Sequence, residues 1–204
     1  MKGVLISALT IGFVGVVAIG ATLAYFSDLE TSTGNTFAAG SLDLTIDGGN
    51  VNVVKFDVSN MRPGSQPKGT YRLANVGTIN GFLDIENIVL TEMENGCLDP
   101  ELDAGDTTCG DPGVGEGELG QVVNLRLFVD YNCDGWISTG DKVFFNGLFS
   151  TLPGNFELNE PLNAGQEVCI VALADWWSTP LDNLAQGDSM TLDMTFELGQ
   201  TTGQ

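Results

Sequence analysis

The sequence contains no histidine among its 204 residues. This absence excludes serine hydrolases with a Ser-His-Asp triad, cysteine proteases that pair cysteine with histidine, and zinc proteases with the H-E-x-x-H motif. Catalysis by two carboxylates, as in glycosidases, needs no histidine and stays formally open. In so acidic a chain some pair of carboxylates is inevitable, so the sequence favours a protein that is not an enzyme.

Basic residues are scarce as well. The chain has 7 Lys and Arg against 27 Asp and Glu, a formal net charge of −20. Such a surface repels the phosphates of nucleic acids and anionic lipids, which argues against nucleic-acid binding. The chain is nevertheless not a disordered acidic sequence, because 43% of its residues are hydrophobic.

An uninterrupted apolar run begins near the N-terminus, where residues 4–26 carry no charge and follow Lys2. The positive start, apolar centre and small residues predict a signal peptide over residues 1–24, cut by signal peptidase between Ala24 and Tyr25. The precursor would then contact the membrane only through this leader. Two alternatives stay open: a retained anchor, since the run is long enough to span a bilayer, and a pilin-type helix that stays in the core of a filament.

Four cysteines follow the apolar segment, and an even number behind an export signal favours disulfides. Cys97 and Cys109 bracket one polar loop, "CLDPELDAGDTTC", so we predict that pair, which leaves Cys133 with Cys169. Free thiols are the alternative. A metal cluster is a poorer reading, because no C-x-x-C spacing is present.

The remainder of the chain alternates apolar and polar residues with the period of half-buried strands. The segment "SMTLDMTFEL" is the clearest case, and "SLDLTIDG" and "VKFDVS" repeat the pattern. About eight such strands, separated by turn signals, predict an all-β fold: an antiparallel two-sheet sandwich of jelly-roll type over residues 37–204. Residues 94–120 form an acidic, glycine-rich insertion within it.

The segment "DYNCDGWISTGD", residues 130–141, fits a calcium loop of the form D-x-N-x-D-G-x-I-x-x-x-D. Oxygen ligands at alternate positions around a sharp glycine turn suit Ca²⁺. The predicted ligands are Asp130, Asn132, Asp134, the carbonyl of Trp136, Ser138 and Asp141. Strands flank the loop, so we predict a structural ion that holds a hairpin. The alternative is a turn without an ion, because Asp, Asn and Gly are common in turns.

Several stretches together resemble the TasA/camelysin family of secreted, fibre-forming proteins of bacterial biofilms and archaeal bundling pili. They are "GATLAYFSDLETSTGNTFAAGSLDLTI", "VSNMRPGS" with "YRLANVGTINGFLDI", and "DNLAQGDSMTLDMTFELGQ". The resemblance implies a jelly-roll subunit, exported without its leader and assembled into extracellular filaments, in which the new N-terminal segment completes the sheet of a neighbouring subunit. Camelysin was described as a metalloprotease, and the absence of histidine argues against that activity here.

The segment that would be donated is residues 25–36. An open sheet edge is a template for a strand of another chain, and the head-to-tail contact that results does not close, so it makes filaments. The predicted donor-strand residues are Tyr25, Phe26, Leu29, Thr31 and Thr33, with Tyr25 and Leu29 as anchors. One alternative is an edge strand folded onto its own subunit. Another is a monomeric, secreted or anchored binding module whose tryptophans stack on sugar rings.

Overall fold

The computed structural model describes residues 39–50, 61–177 and 182–202. The predicted leader, its cleavage site, the donor segment and the strand predicted around Val54 and Val58 lie outside the described residues. Apart from Ala39, the described residues belong to one unit, Gly40–Gln204. No helix within them is long and apolar enough to cross a bilayer.

The first sheet is antiparallel and has five strands in the order β1-β2-β8-β5-β6. Its strands are β1 (Leu44–Ile46), β2 (Lys68–Asn75), β5 (Asn124–Asp130), β6 (Lys142–Leu148) and β8 (Glu167–Asp175). Strand β8 reads "EVCIVALAD", apolar on both faces, and it pairs with β2 on one side and β5 on the other. Every residue of β8 after Glu167 is buried, so both faces of the strand are covered. This explains why the strand is apolar on both faces.

The second sheet is built on the long strand β3 (Gly81–Glu94). Strand β9 (Ser189–Gly199) pairs antiparallel with β3 along almost its whole length, from Phe82 to Met93. Strands β7 (Phe156–Leu162) and β4 (Gly113–Val114) pair with the two ends of β3. A strand has two edges, so β7 and β4 share the one that β9 does not use.

The two sheets pack face to face over a common core. One cluster joins Leu73, Val129 and Ile170 of the first sheet to Leu83 and Ile85 of the second. All five side chains are 0% exposed. Period-2 alternation requires this burial of the inward row of each strand. The prediction of an all-β protein with antiparallel sheets is confirmed.

The insertion at residues 94–120 contains two short helices, α1 (Asp99–Ala104) and α2 (Leu119–Val122), which the strand pattern did not predict. Helix α1 begins with Pro100 in its first turn, where a missing amide costs nothing. It ends at Gly105, whose φ of 84° needs the left-handed region that glycine tolerates. The insertion is therefore folded, and it places acidic residues at defined points.

Both cysteine pairs favoured by the sequence are disulfides in the structure. Cys97–Cys109 closes the insertion around α1. Cys133–Cys169 ties the loop after β5 to the buried strand β8, where Cys169 is fully buried.

Candidate functional site

Residues 130–141 connect β5 to β6, as the sequence indicates. Asp130 ends β5 and is fully buried. Its Oδ1 accepts from the amides of Asn132 at 3.2 Å and Cys133 at 2.8 Å, and its Oδ2 accepts from the amide of Gly135 at 2.7 Å. The carboxylate thus holds the turn together through the loop's own backbone.

The other predicted ligands make similar local hydrogen bonds. Asp134 Oδ1 accepts from the amide of Trp136 at 2.7 Å, and Asp141 Oδ2 accepts from the amide of Ser138 at 2.6 Å. Asn132 Nδ2 donates to Asp134 Oδ2 at 3.1 Å. The three carboxylates of this loop do not belong to either set of convergent acidic groups found in the described part of the chain. The calcium site of this loop therefore stays a prediction.

A lysine neighbours the same loop. Lys68 Nζ donates to the carbonyl of Gly135 at 3.0 Å and lies 3.6 Å from the ring centroid of Trp136. A cation over an aromatic face is attractive, and it covers a face that a sugar would need. Trp176 is buried and Trp177 is 62% exposed. Burial of Trp176 therefore leaves Trp136 and Trp177 as the exposed tryptophan rings.

Strand β9 has an unusual environment for a core-facing strand. Among the described residues it pairs with β3 alone, so its other edge has no described partner. Its inward row is only half buried along its length: Met190, Leu192, Met194, Phe196 and Leu198. A cavity of about 760 Å³ borders its first residues, and a groove of about 440 Å³ borders Phe196 and Leu198 together with Leu42 and Leu44.

A second acidic site lies where the insertion meets the start of β9. Five carboxylates meet there, from the end of β3, from α1, from the loop after it, from the residue before α2 and from the residue before β9. They are Glu94, Glu101, Asp106, Glu118 and Asp188. Ligand oxygens of Glu94, Glu101 and Asp106 all lie within 4.8 Å of one another, and so do those of Glu94, Glu118 and Asp188.

In each of these side chains one oxygen is held in place by the protein. Glu94 accepts from the amide of Gly96, Glu101 from that of Leu98 and Asp188 from that of Glu118, each at 2.6 Å. Thr108 lies between the other two carboxylates: its amide donates to Asp106 Oδ1 at 2.7 Å, and its hydroxyl, with one proton to donate, lies 2.7 Å from Asp106 Oδ1 and 2.9 Å from Glu118 Oε1.

The second oxygen of each side chain is buried and has no hydrogen-bond partner. These atoms are Glu94 Oε2, Glu101 Oε1, Asp106 Oδ2, Glu118 Oε2 and Asp188 Oδ1. Native proteins satisfy nearly all buried polar atoms, with bound ions among the explanations for exceptions. Five such atoms in one place, on five acidic residues, make this cluster a candidate site for a bound cation.

Mutual repulsion and burial act on the same groups. Burial, followed by the charges of Glu94, Glu118 and Glu101, raises the pKa of Asp188 to about 7 against the pull of the Glu118 amide. Burial also raises the pKa of Glu101 and of Glu118, reinforced by neighbouring carboxylates. Asp106 differs: burial acts to raise its pKa, but the hydrogen bonds from Thr108 and Cys109 lower it overall. Negative charge is therefore costly here without a counter-ion.

Sequence reasoning missed this site, because its residues span positions 94 to 188 and no short motif joins them. The signal that was present is the acidic composition of the insertion between the cysteines. The β3–β9 register brings Glu94 and Asp188 together, since Met93 pairs with Ser189.

The first half of the chain decides the family. The sequence model of the family described as camelysin metallo-endopeptidase matches residues 1–106. The chain belongs to this family. Its members and the two disulfides favour an extracellular or cell-surface protein. No curated protein matches the chain with significant similarity.

The catalytic metal that this family description implies does not fit the residues present. Peptidase zinc is typically held by two histidine nitrogens and a carboxylate oxygen, and cysteine sulfur is the other common zinc ligand in proteins. The chain has no histidine, and its four cysteines are all in disulfides. The convergent site that the structure does contain is made of carboxylate oxygens alone, a set that suits Ca²⁺ or Mg²⁺.

Proposed function

We propose that this protein is a structural subunit of an extracellular filament, a pilus or biofilm matrix fibre, and not a peptidase. Its partner is a second copy of itself, joined head to tail. The donor-strand segment, residues 25–36, leaves its own subunit after cleavage at Ala24–Tyr25 and enters the sheet of the next. The two sheets then have the jelly-roll arrangement of the family, completed by the neighbour's strand.

The observation that carries the proposal is that β9 has one edge without a described partner and an apolar row that is only partly buried. Within the described residues β9 is an edge strand of 11 residues, and such an edge offers a row of backbone amides and carbonyls to a further strand. Its five inward apolar side chains are only partly buried, so an added strand would gain both hydrogen bonds and further apolar burial. Strand addition usually combines backbone hydrogen bonds along a sheet edge with pockets that accept alternate side chains of the added strand.

The predicted donor matches this acceptor in length and pattern. Residues 25–33 extended as a strand span about 30 Å, and β9 spans about 36 Å, at about 3.3 Å per residue. Tyr25 and Leu29 lie four positions apart, on one face of a strand, so they can enter the apolar side of the β9 edge. Asp28 and Glu30 would face solvent.

Assembly has to overcome charge repulsion between subunits, each with a formal net charge of −21 once Lys2 is removed with the leader. Salt screens exposed charges beyond about 8–10 Å, and divalent cations can bridge them. The strand interface itself is apolar and close-range, so we expect it to depend on salt less than the lateral contacts between filaments do.

The test compares two double variants of the secreted protein by negative-stain electron microscopy and sedimentation. Tyr25→Ser with Leu29→Ser removes the anchors, and Asp28→Ser with Glu30→Ser makes matched changes on the outward face. We expect wild-type protein and the outward-face variant to form filaments of uniform repeat, and the anchor variant to stay unassembled. Equal filament yields from the two variants, or a wild-type protein that stays monomeric, would contradict the proposal.

A further inference from the structure

We propose that Glu94, Glu101, Asp106, Glu118 and Asp188 bind Ca²⁺, with Glu94 as the ligand common to both groups of carboxylates. This site is separate from the loop at residues 130–141 and does not depend on filament formation. It is made of side chains that the fold brings together from strand β3, helix α1 and three connecting loops.

The spacing of the oxygens is that of ligands around one ion. Calcium binds oxygens at 2.3–2.6 Å, so two ligands on opposite sides of it are about 4.8 Å apart. Each of the two triads meets that limit. Because Glu94 belongs to both, its carboxylate can hold one ion between all five groups or bridge two adjacent ions.

The burial of the free oxygens excludes a merely solvated acidic patch. Glu94 is 1% exposed and Glu101 is fully buried, and each presents an oxygen without a donor to the centre of the cluster. The backbone amides and Thr108 already hold the opposite oxygens, so the side chains are fixed before any ion arrives. Such preorganisation lowers the entropy that binding costs.

The ligand chemistry selects calcium among the common ions. Five negatively charged oxygens, with no nitrogen or sulfur, suit hard cations. Magnesium demands an octahedron at 2.0–2.1 Å and keeps several waters, which a crowded and buried carboxylate set does not favour. A monovalent ion carries one positive charge, which offsets too little of the negative charge of five carboxylates.

A bound ion would fasten the insertion to the sandwich. Glu94 ends β3, Glu101 lies in α1, Glu118 precedes α2, and Asp188 precedes β9. The disulfide Cys97–Cys109 closes the same insertion covalently. The ion and the disulfide together would fix the insertion at the start of β9.

The experiment measures the bound calcium and the thermal stability of the full-length protein. The protein is first stripped with EGTA and then equilibrated with CaCl₂ at about 1 mM, a concentration that saturates a site of micromolar affinity. Three variants are compared with wild type. Glu94→Gln removes the shared ligand without changing its size. Asp103→Asn removes the same charge from an exposed position in α1, and Asp134→Asn tests the loop at residues 130–141.

We expect Glu94→Gln to bind at least one Ca²⁺ fewer per chain than Asp103→Asn, whatever the loop binds. We also expect wild type and Asp103→Asn to gain about 5–10 °C in melting temperature with calcium, and Glu94→Gln to lose most of that gain. Glu101→Gln provides a second test if Glu94→Gln does not fold. Equal calcium content in Glu94→Gln and Asp103→Asn, or wild-type protein that binds no calcium, would overturn the proposal. Loss of all bound calcium in Asp134→Asn alone would also overturn it and assign the ion to the loop.

Discussion

Asn75, at the end of β2, is a buried polar side chain that joins three parts of the fold. It is fully buried, and its Nδ2 donates to the carbonyls of Ile79 at 2.9 Å and Leu162 at 3.0 Å. Its Oδ1 accepts from the amide of Gly77 at 3.0 Å. The residue belongs to the segment "ANVGTING", one of those that resemble the TasA/camelysin family, so this resemblance has a structural cause here.

Asn75→Ala removes all three hydrogen bonds and leaves two carbonyls and one amide without that partner. A typical hydrogen bond contributes about 1 kcal/mol net, and a buried group left without a partner costs about 1–3 kcal/mol. The groups share one side chain and the penalties are not independent, so we expect a total loss of about 3–5 kcal/mol in the free energy of unfolding. That is a large fraction of the stability of an ordinary domain.

The control is Asn80→Ala, five residues along the same segment. Asn80 is exposed, and its Oδ1 accepts one hydrogen bond from the amide of Ala164 at 3.1 Å. We expect this change to cost about 0.5–1 kcal/mol. Equilibrium urea unfolding of unassembled protein, followed by tryptophan fluorescence, measures both. A loss in Asn75→Ala within about 1 kcal/mol of that in Asn80→Ala would refute the reasoning.

Three further changes test other parts of the fold. Replacing Cys133 and Cys169 with serine should lower the free energy of unfolding by about 3.8 kcal/mol, because the disulfide closes a loop of 36 residues. Replacing Cys97 and Cys109, which are separated by 12 residues, should lower it by about 2.8 kcal/mol. Denaturant unfolding measures both losses, and the reverse order would contradict this loop-length argument. Gly77→Ala should lower the melting temperature by several degrees, because its Cβ would meet the Ser41 carbonyl and lie 2.8 Å from the Asp43 amide, whereas Gly154→Ala should be neutral in open space. Chelation with EGTA should loosen bundles of filaments before it dissolves single filaments, and bundles that survive chelation at low salt would count against this.

The sequence predicted those features that local pattern determines. Period-2 alternation located β9 and β1, and the short spacing of Cys97 and Cys109 indicated a local disulfide. Strand β3 contains the segment "GFLDIENIVLTE" and has an irregularity between Glu86 and Val89, at Asn87 with φ of 50°. Such interruptions depend on pairing with a neighbour and leave the apolar pattern in place.

The acidic cluster could not be predicted in the same way, because its geometry depends on tertiary pairing. Glu94 and Asp188 are neighbours through the register of β3 against β9, and Glu101 lies beside Glu94 because it is the buried residue of α1. The loop at residues 130–141 shows the opposite limit. Its motif is local and easily recognised, yet Asp130 uses both of its oxygens on backbone amides. A ligand pattern in sequence does not determine where the oxygens point.

The most direct test of the central claim is a cryo-electron microscopy reconstruction of the filament. We expect residues 25–33 of one subunit to lie as an added strand along the outer edge of β9 in the next, with Tyr25 and Leu29 among the half-buried side chains of β9. A reconstruction in which the subunit's own chain covers that edge, or in which the N-terminal segment forms a helix in the filament core, would contradict the account.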